Sequence, residues 1–323
     1  MSQATLQDRA YNNSNLFSGH YLDERVRERD EWECEDEARE AMEELQRLYE
    51  LEGDLVPSYG EDALIDNWID EVLDILGFGT QEEVTLPNGG GYVDELLFDD
   101  TSTRRDAAGV YLETEDTTDL FERGSGLVEA KQWDAAFNIQ FSEQRPYRNA
   151  SHQTKHYLEN TPPNIQWGIL TNGRKWRLYG TNDYETQTYY EVDLPELLEK
   201  GDVERFKYFY VFFRPSAFHE SGGTTFLDEV WSESETASQE LGENLQDNVF
   251  TALRVLGRGF VETNDGLDID PDDEEDLDEL KEQSLVFLYR LMFVLYAESR
   301  QLIHPEDQAA QDEYDQNFSL DEL

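Results

Sequence analysis

Apolar residues recur at helical spacing most clearly in one stretch of the chain. Leu64, Ile65, Trp68, Ile69, Val72, Leu73 and Leu76 form a single stripe that Gly77 and Gly79 close, which predicts a helix over residues 62–78. Upstream, residues 22–52 are dense in charge, with Val26, Trp32, Ala38, Ala41, Leu45 and Leu48 at roughly helical intervals, and predict a solvated amphipathic helix. Leu86-Pro-Asn-Gly-Gly-Gly-Tyr92 is a turn leading into a strand at 92–98. Residues 99–126 are acidic and loop-like, with a short strand at 109–113. A buried strand at 126–133 precedes a helix at 150–160 that Pro162 and Pro163 stop. Strands at 166–171 and 175–179 are joined by Asn172-Gly173, a strong hairpin signal, and 186–192 adds another strand. Residues 206–213 are so aromatic that strand and helix fit equally well. Past the linker-like Ser221-Gly-Gly-Thr-Thr225 the pattern turns helical, at 226–258 and 273–303, around an acidic run at 265–276. No internal repeat is visible.

These elements predict an α/β (α+β) fold, a mixed central sheet flanked by helices with a C-terminal helical region. The predicted division is an acidic helical extension over 1–60, a sheet-bearing domain over 61–220 and a helical connector or docking region over 221–323. The longest apolar stretch, residues 285–297, contains Arg290 and falls short of the roughly 20 residues a membrane span needs, so it reads as a buried helix. Residues 1–21 lack a basic segment followed by an apolar run, so no signal peptide is read and the expected location is cytoplasmic.

Charge changes the picture. The chain has 323 residues, with 74 Asp+Glu against 25 Lys+Arg and a net charge of −49. Six Trp, 17 Tyr and 17 Phe are too many for a disordered acidic tail, so the acids coat a folded body. Acids spread along almost the whole sequence fit a halophile, whose multimolar salt screens self-repulsion. The acidic runs at 272–278 and 312–315 read as part of that surface. A single cysteine, Cys34, excludes an internal disulfide and a multi-cysteine zinc site, and it reads as structural. His219 and His304 stand alone near loops as solvated imidazoles.

One segment escapes the acidic coat. Between Arg145 and Asn182 the only acid is Glu159, against Arg145, Arg148, Lys155, Arg174, Lys175 and Arg177, interleaved with Tyr147, Tyr157, Trp167, Trp176 and Tyr179. Bases interleaved with aromatics suit a phosphate backbone, so the six are candidate DNA contacts. Arg145, Arg148, Arg174, Arg177 and Trp176 are expected to form a concave patch. Burial of this segment in the sheet would also exclude acids.

Candidate chemistry sits just before it. In Leu127-Val-Glu-Ala-Lys-Gln132, Glu129 and Lys131 point to one face of a strand and Val128 and Ala130 to the other. Asp94 and Glu95 interrupt the apolar run at 92–98. If the two strands are neighbours, Asp94 lies beside Glu129 and the pair can hold a hard divalent cation.

This order of parts resembles the PD-(D/E)xK nuclease superfamily, with Asp94 at its aspartate position and Glu129-Ala130-Lys131 as E-x-K; the family's proline is replaced by Val93. The runs Glu129-Ala-Lys-Gln-Trp-Asp134, Gln153-Thr-Lys-His-Tyr-Leu158 and 167–179 look like the N-terminal nuclease region of type IIG restriction–modification enzymes, and 288–298 is similar to their connecting helix. The resemblance implies a Mg²⁺ site from Asp94, Glu129 and the Ala130 carbonyl, with Asp66 touching the metal through water. It implies that Lys131 orients the attacking water and offsets phosphate charge, with Gln153 in support. Double-stranded DNA would be the substrate, and a separate methyltransferase or specificity subunit the partner, because methyltransferase motifs are missing from this chain. The alternative is a non-catalytic DNA-binding or methyltransferase-docking module of a split or truncated enzyme.

The charge arithmetic carries its own test. Thermal unfolding followed by circular dichroism should shift to lower temperature as KCl falls from about 1 M to about 0.1 M, where the screening length grows from roughly 3 Å to roughly 10 Å. A melt that does not move removes the halophilic reading.

Overall fold

The computed structural model describes residues 9–142, 145–182, 185–264 and 273–299, together with 266–267, 269–270, 310, 313–314 and 317–320. Asp272, His304, Asp312 and Asp315 lie outside the described residues. The chain divides into a unit spanning Ala10–Ser238 and a second that takes in Gln239–Leu323.

In the first unit a short edge strand β1 (Asn12–Ser14) leads through tight helical turns to α1 (Glu35–Glu52). A continuous helical segment follows, in which α2 (Glu61–Leu64) and α3 (Asp70–Leu76) are joined by a π-helical turn at Ile65–Ile69. The hairpin β2 (Gly79–Thr85) and β3 (Tyr92–Phe98) comes next, then α4 (Thr101–Thr114), α5 (Thr118–Phe121) and β4 (Gly126–Ala130). After α6 (Ala150–Glu159) come β5 (Trp167–Thr171), β6 (Lys175–Gly180), β7 (Tyr189–Asp193), α7 (Leu194–Lys200), α8 (Val203–Phe213) and α9 (Pro215–Phe218). The long helix α10 (Phe226–Thr263) starts in this unit, and α11 (Glu274–Ser299) belongs to the second.

The strands form one mixed sheet in the order β1-β7-β6-β5-β4-β3-β2. Only β4 and β5 are parallel, and α6 lies in the crossover between them. Both strands sit mid-sheet and every one of their residues is buried, which explains their unbroken apolar character. Alternation sorts side chains into two cores. Leu97, Val128, Ile169, Trp176 and Tyr190 pack with residues of α1, α3 and α8, while Leu96, Leu127, Leu170 and Tyr179 pack with residues of α6 and its neighbours.

Local chemistry accounts for most boundaries. Gly77 takes a φ of 100° and ends α3, as its position after the last apolar residue predicts. Gly173 has a φ of 78°, and a Cβ there would come 2.8 Å from the Trp133 ring, so only glycine fits between hairpin and indole. Its carbonyl accepts the Trp68 indole N–H at 2.7 Å, anchoring the π-turn to the β5–β6 hairpin.

Several expectations need correction. The helix predicted over 22–52 is broken: Arg29 is extended, with ψ of 150°, and its guanidinium pairs with Glu31, Glu229 and Glu233. Residues from Ala10 onward belong to the same unit as the sheet, with β1 paired to β7, so residues 10–60 are part of the sheet domain rather than an extension. The loop expected over 99–126 holds α4, whose cap is the Asp100 carboxylate accepting the Thr103 N–H at 2.7 Å; no strand forms at 109–113. The sequence reading omitted β2, whose polar residues alternate poorly, and the aromatic run 206–213 resolves as helix. His219 is not solitary, because Nδ1 lies 2.5 Å from Asp99 Oδ2. Finally, residues 285–297 are helical but not buried: Tyr289 is 74% exposed and Phe293 62%. No helix among the described residues is long and apolar enough to cross a membrane.

Candidate functional site

The β3–β4 ladder ends at the Glu95–Val128 pair. Two residues further along β4, the Ala130 N–H donates to Asp94 Oδ2 at 2.7 Å instead of to a backbone carbonyl. The strands part around a carboxylate, and Asp94 of β3 and Glu129 of β4 lie on the same side of the sheet. Glu129 is 1% exposed, and its Oε2 is buried with no hydrogen-bond partner.

Lys131 follows β4 and turns back over it. Its ammonium donates to Glu129 Oε1 at 2.6 Å and to the Ala130 carbonyl, and lies 3.8 Å from Glu61 Oε1 at the start of α2. Burial opposes the charge on Lys131, but the carboxylates of Glu129, Asp94 and Glu61 outweigh it and raise its pKa, so the ammonium form is held. The same burial pushes Asp94 up to about 6, against the pull of Lys131 and the Ala130 N–H. Glu129 is pushed up to about 8 by burial and by Asp94. One ammonium among three carboxylates leaves the ionised cluster at −2.

From above, α6 brings Gln153 and Tyr157. Gln153 Nε2 donates to the Tyr157 hydroxyl at 3.0 Å, while its Oε1 is buried without a partner. Burial and the Tyr147 hydroxyl raise the Tyr157 pKa, and the charge of Glu129 adds to the effect, which places the phenol in the field of the carboxylates. Tyr157 and Glu61 complete the constellation, yet sequence reasoning passed over both. Glu61 precedes the apolar stripe that marked the helix, and Tyr157 stood out only as one of the aromatics interleaved with the bases, not as a member of the carboxylate site.

Asp66 does not join this group. Five residues of α-helix turn through about 140°, so Glu61 and Asp66, the second residue of the π-turn, project in different directions. Asp66 lies instead with Asp70 and Glu82.

The basic segment divides. Lys155 is 3% exposed and donates to the Gly180 carbonyl at 2.8 Å, and Arg177 is 5% exposed. Arg177 lies on the same sheet face as Asp94 and Glu129, because Glu129 registers with Leu170 and Leu170 with Arg177. Its guanidinium is nevertheless taken: it donates through Nε and Nη2 to Glu191 Oε2 at 2.8 Å and 2.6 Å, and lies 3.6 Å from the Tyr189 ring centre. Neither residue can reach a phosphate backbone from inside the protein. Trp176 points into the opposite core, so the expected patch does not form as a whole. Arg174 is half-exposed at the hairpin and bonded to Asp193 at 2.8 Å, and Lys175 lies 3.7 Å from Glu191. Arg145 and Arg148 are exposed in the segment ahead of α6, with Arg145 stacked 5.2 Å over Phe141.

Comparison with known proteins finds no matching family model, no matching curated protein and no matching solved structure.

Two predictions follow from burial. Arg177→Ala should destabilise the fold by about 3 kcal/mol, because Glu191 stays buried with its main partner gone, while Arg177→Met combined with Glu191→Leu should recover most of the loss. Urea titrations check this; a DNA-binding defect without destabilisation would instead mark Arg177 as a phosphate contact. For the carboxylate pair, raised pKa values mean that the folded state keeps protons the unfolded chain releases. The pair's contribution to stability is therefore fully present below about pH 4 and is lost as pH rises through about 6 and about 8. In EDTA at constant KCl, Glu129→Gln should flatten the fall of the urea midpoint between pH 5 and pH 8.5, and an unchanged slope would contradict it.

Proposed function

We propose that this chain is a Mg²⁺-dependent endonuclease that hydrolyses phosphodiester bonds of double-stranded DNA as the nuclease part of a restriction–modification system. The observation that carries the reading is the buried Glu129 Oε2, left without a partner where β3 and β4 part, beside Asp94 and a lysine held as ammonium. Inside a protein such an oxygen costs free energy unless a cation or a water meets it.

The residues fit a hard divalent ion. Asp94 has one oxygen engaged by the Ala130 N–H, and Glu129 has one by Lys131, so each retains another for a metal. The Ala130 carbonyl is a weaker candidate, because the Lys131 ammonium already occupies it and would compete with a cation there. A bound Mg²⁺ would supply Lewis acidity and a more acidic water at this position.

The chain's own groups have separate tasks. Lys131, kept charged by three carboxylates, offsets negative charge developing on the phosphate and is no general base. Gln153, held by Tyr157 through its amide nitrogen, presents its free Oε1 to orient a water. Arg145 and Arg148, exposed ahead of α6, are the guanidiniums on the surface for the DNA backbone, with Arg174 and Lys175 half-exposed at the hairpin.

A second reading, a module that docks a methyltransferase, draws on a different observation. Helices α10 and α11 expose large apolar side chains, among them Phe250, Tyr289 and Phe293.

Purified protein incubated with unmethylated plasmid in concentrated KCl, with Mg²⁺ or with EDTA, separates the two. Cleavage should require Mg²⁺ and fall at least about 100-fold in each of Asp94→Asn, Glu129→Gln and Lys131→Ala, with the folded circular-dichroism signal retained. A Lys131→Ala protein that cuts at the parental rate would overturn the assignment. Absence of cleavage by the parental protein, with methyltransferase binding through α10 and α11, would favour the docking module.

A further inference from the structure

On the other face of β3 lies a second group of acids that the carboxylate pair does not use. Asp94 and Glu95 are adjacent in the strand and point to opposite sides of the sheet. Glu95 is 1% exposed, and neither of its carboxylate oxygens has a hydrogen-bond partner. It stands directly opposite Glu82 in the β2–β3 ladder, so the two side chains share a face. The helical segment contributes Asp66 from its π-turn and Asp70 from α3, and α3 packs on β2. Asp66, Asp70 and Glu82 each offer a carboxylate oxygen within 4.8 Å of the others, and Asp70 Oδ1 is also buried and unpartnered.

We propose that Asp66, Asp70 and Glu82, with the buried Glu95 beside them on the same face, form a binding site for a divalent cation of the calcium type, separate from the Asp94–Glu129 pair, that ties α3 to the β2–β3 hairpin.

Three arguments carry it. The first is satisfaction of buried oxygens. Glu95 has both carboxylate oxygens buried without a partner and Asp70 has one, and a cation held beside them, with its bound water, answers both the charge and the missing partners. The second is charge. No lysine or arginine is paired with any of the four among the described residues, in contrast to the first cluster, where Lys131 is built in. The third is the donor set. Several carboxylates from the chain, held on two elements with no octahedral arrangement, suit Ca²⁺, which takes six to eight oxygens in flexible geometry, whereas Mg²⁺ keeps several waters and binds through one or two carboxylates.

This site is independent of the nuclease reading, and its test is read as binding and stability. In an Asp94→Asn/Glu129→Gln background, which removes the other carboxylate pair, thermal melts and calorimetric titrations with CaCl₂ and MgCl₂ at constant KCl report the second site alone. Ca²⁺ should raise the melting temperature and bind at one equivalent, more tightly than Mg²⁺. Adding Glu95→Gln or Asp70→Asn should each weaken Ca²⁺ binding at least about 10-fold and remove the thermal shift. Glu274→Gln/Glu275→Gln, which removes surface acids of α11, should leave both intact and controls for diffuse binding to the acidic coat. Two site variants guard against one failing to fold. No Ca²⁺ shift in the background protein, a full shift in both site variants, or an equal loss in the α11 variant would each overturn the proposal.

Discussion

The parallel pairing of β4 with β5 is the constraint on which the rest of the structure depends. Parallel neighbours cannot be joined by a tight turn, so the chain must leave the end of β4, cross over the sheet and return to the start of β5. That crossover holds α6, laid on the face that carries Glu129. The parallel pair also continues past the point where β3 departs, since the Lys131 N–H still bonds the Thr171 carbonyl at 2.8 Å. One edge of β4 is thus paired and rigid while its other edge opens onto the Asp94 carboxylate. The acids, the lysine and the two polar residues of α6 meet there because of this asymmetry in strand pairing.

Charge is handled in opposite ways on the two sides of β3. Beside Asp94 and Glu129, three carboxylates surround an ammonium that is part of the chain, and burial leaves one glutamate oxygen unanswered. Beside Glu95, no described cation accompanies four carboxylates. A net charge of −49 spread over the surface can be screened by salt, but ions in solution do not screen a glutamate that is 1% exposed. The interior acids therefore cannot be explained as part of the acidic coat.

The basic segment shows how composition can mislead about placement. Acids are scarce between Arg145 and Asn182 partly because the segment contains α6, β5 and β6, most of whose residues are buried. Burial did not exclude the bases as well, because Lys155 lies along the Tyr179 ring with its ammonium on a carbonyl, and Arg177 is sandwiched between Phe137 and Tyr189 with Glu191 neutralising it. Aromatic rings interleaved with bases served internal packing here, leaving Arg145 and Arg148 as the exposed members.

The sequence alone determined whatever depends on a residue's own element. Period-two alternation put Glu129 and Lys131 on one face, the apolar stripe and Gly77 located α3, and Asn172-Gly173 located the hairpin. It also held the fold class, because strands and helices of these lengths have few ways to bury their apolar faces. Only the tertiary structure decided which side chains meet. Glu61 rather than Asp66 approaches Lys131 because of how the helical segment packs against the sheet; Arg29 breaks a helix to reach acids 200 residues away; and Arg177 is buried because Glu191 arrives on a neighbouring strand. Periodicity sets the direction of a side chain relative to its own backbone, but what it faces depends on pairings between distant segments, whose free energy lies in contacts that neither segment contains by itself.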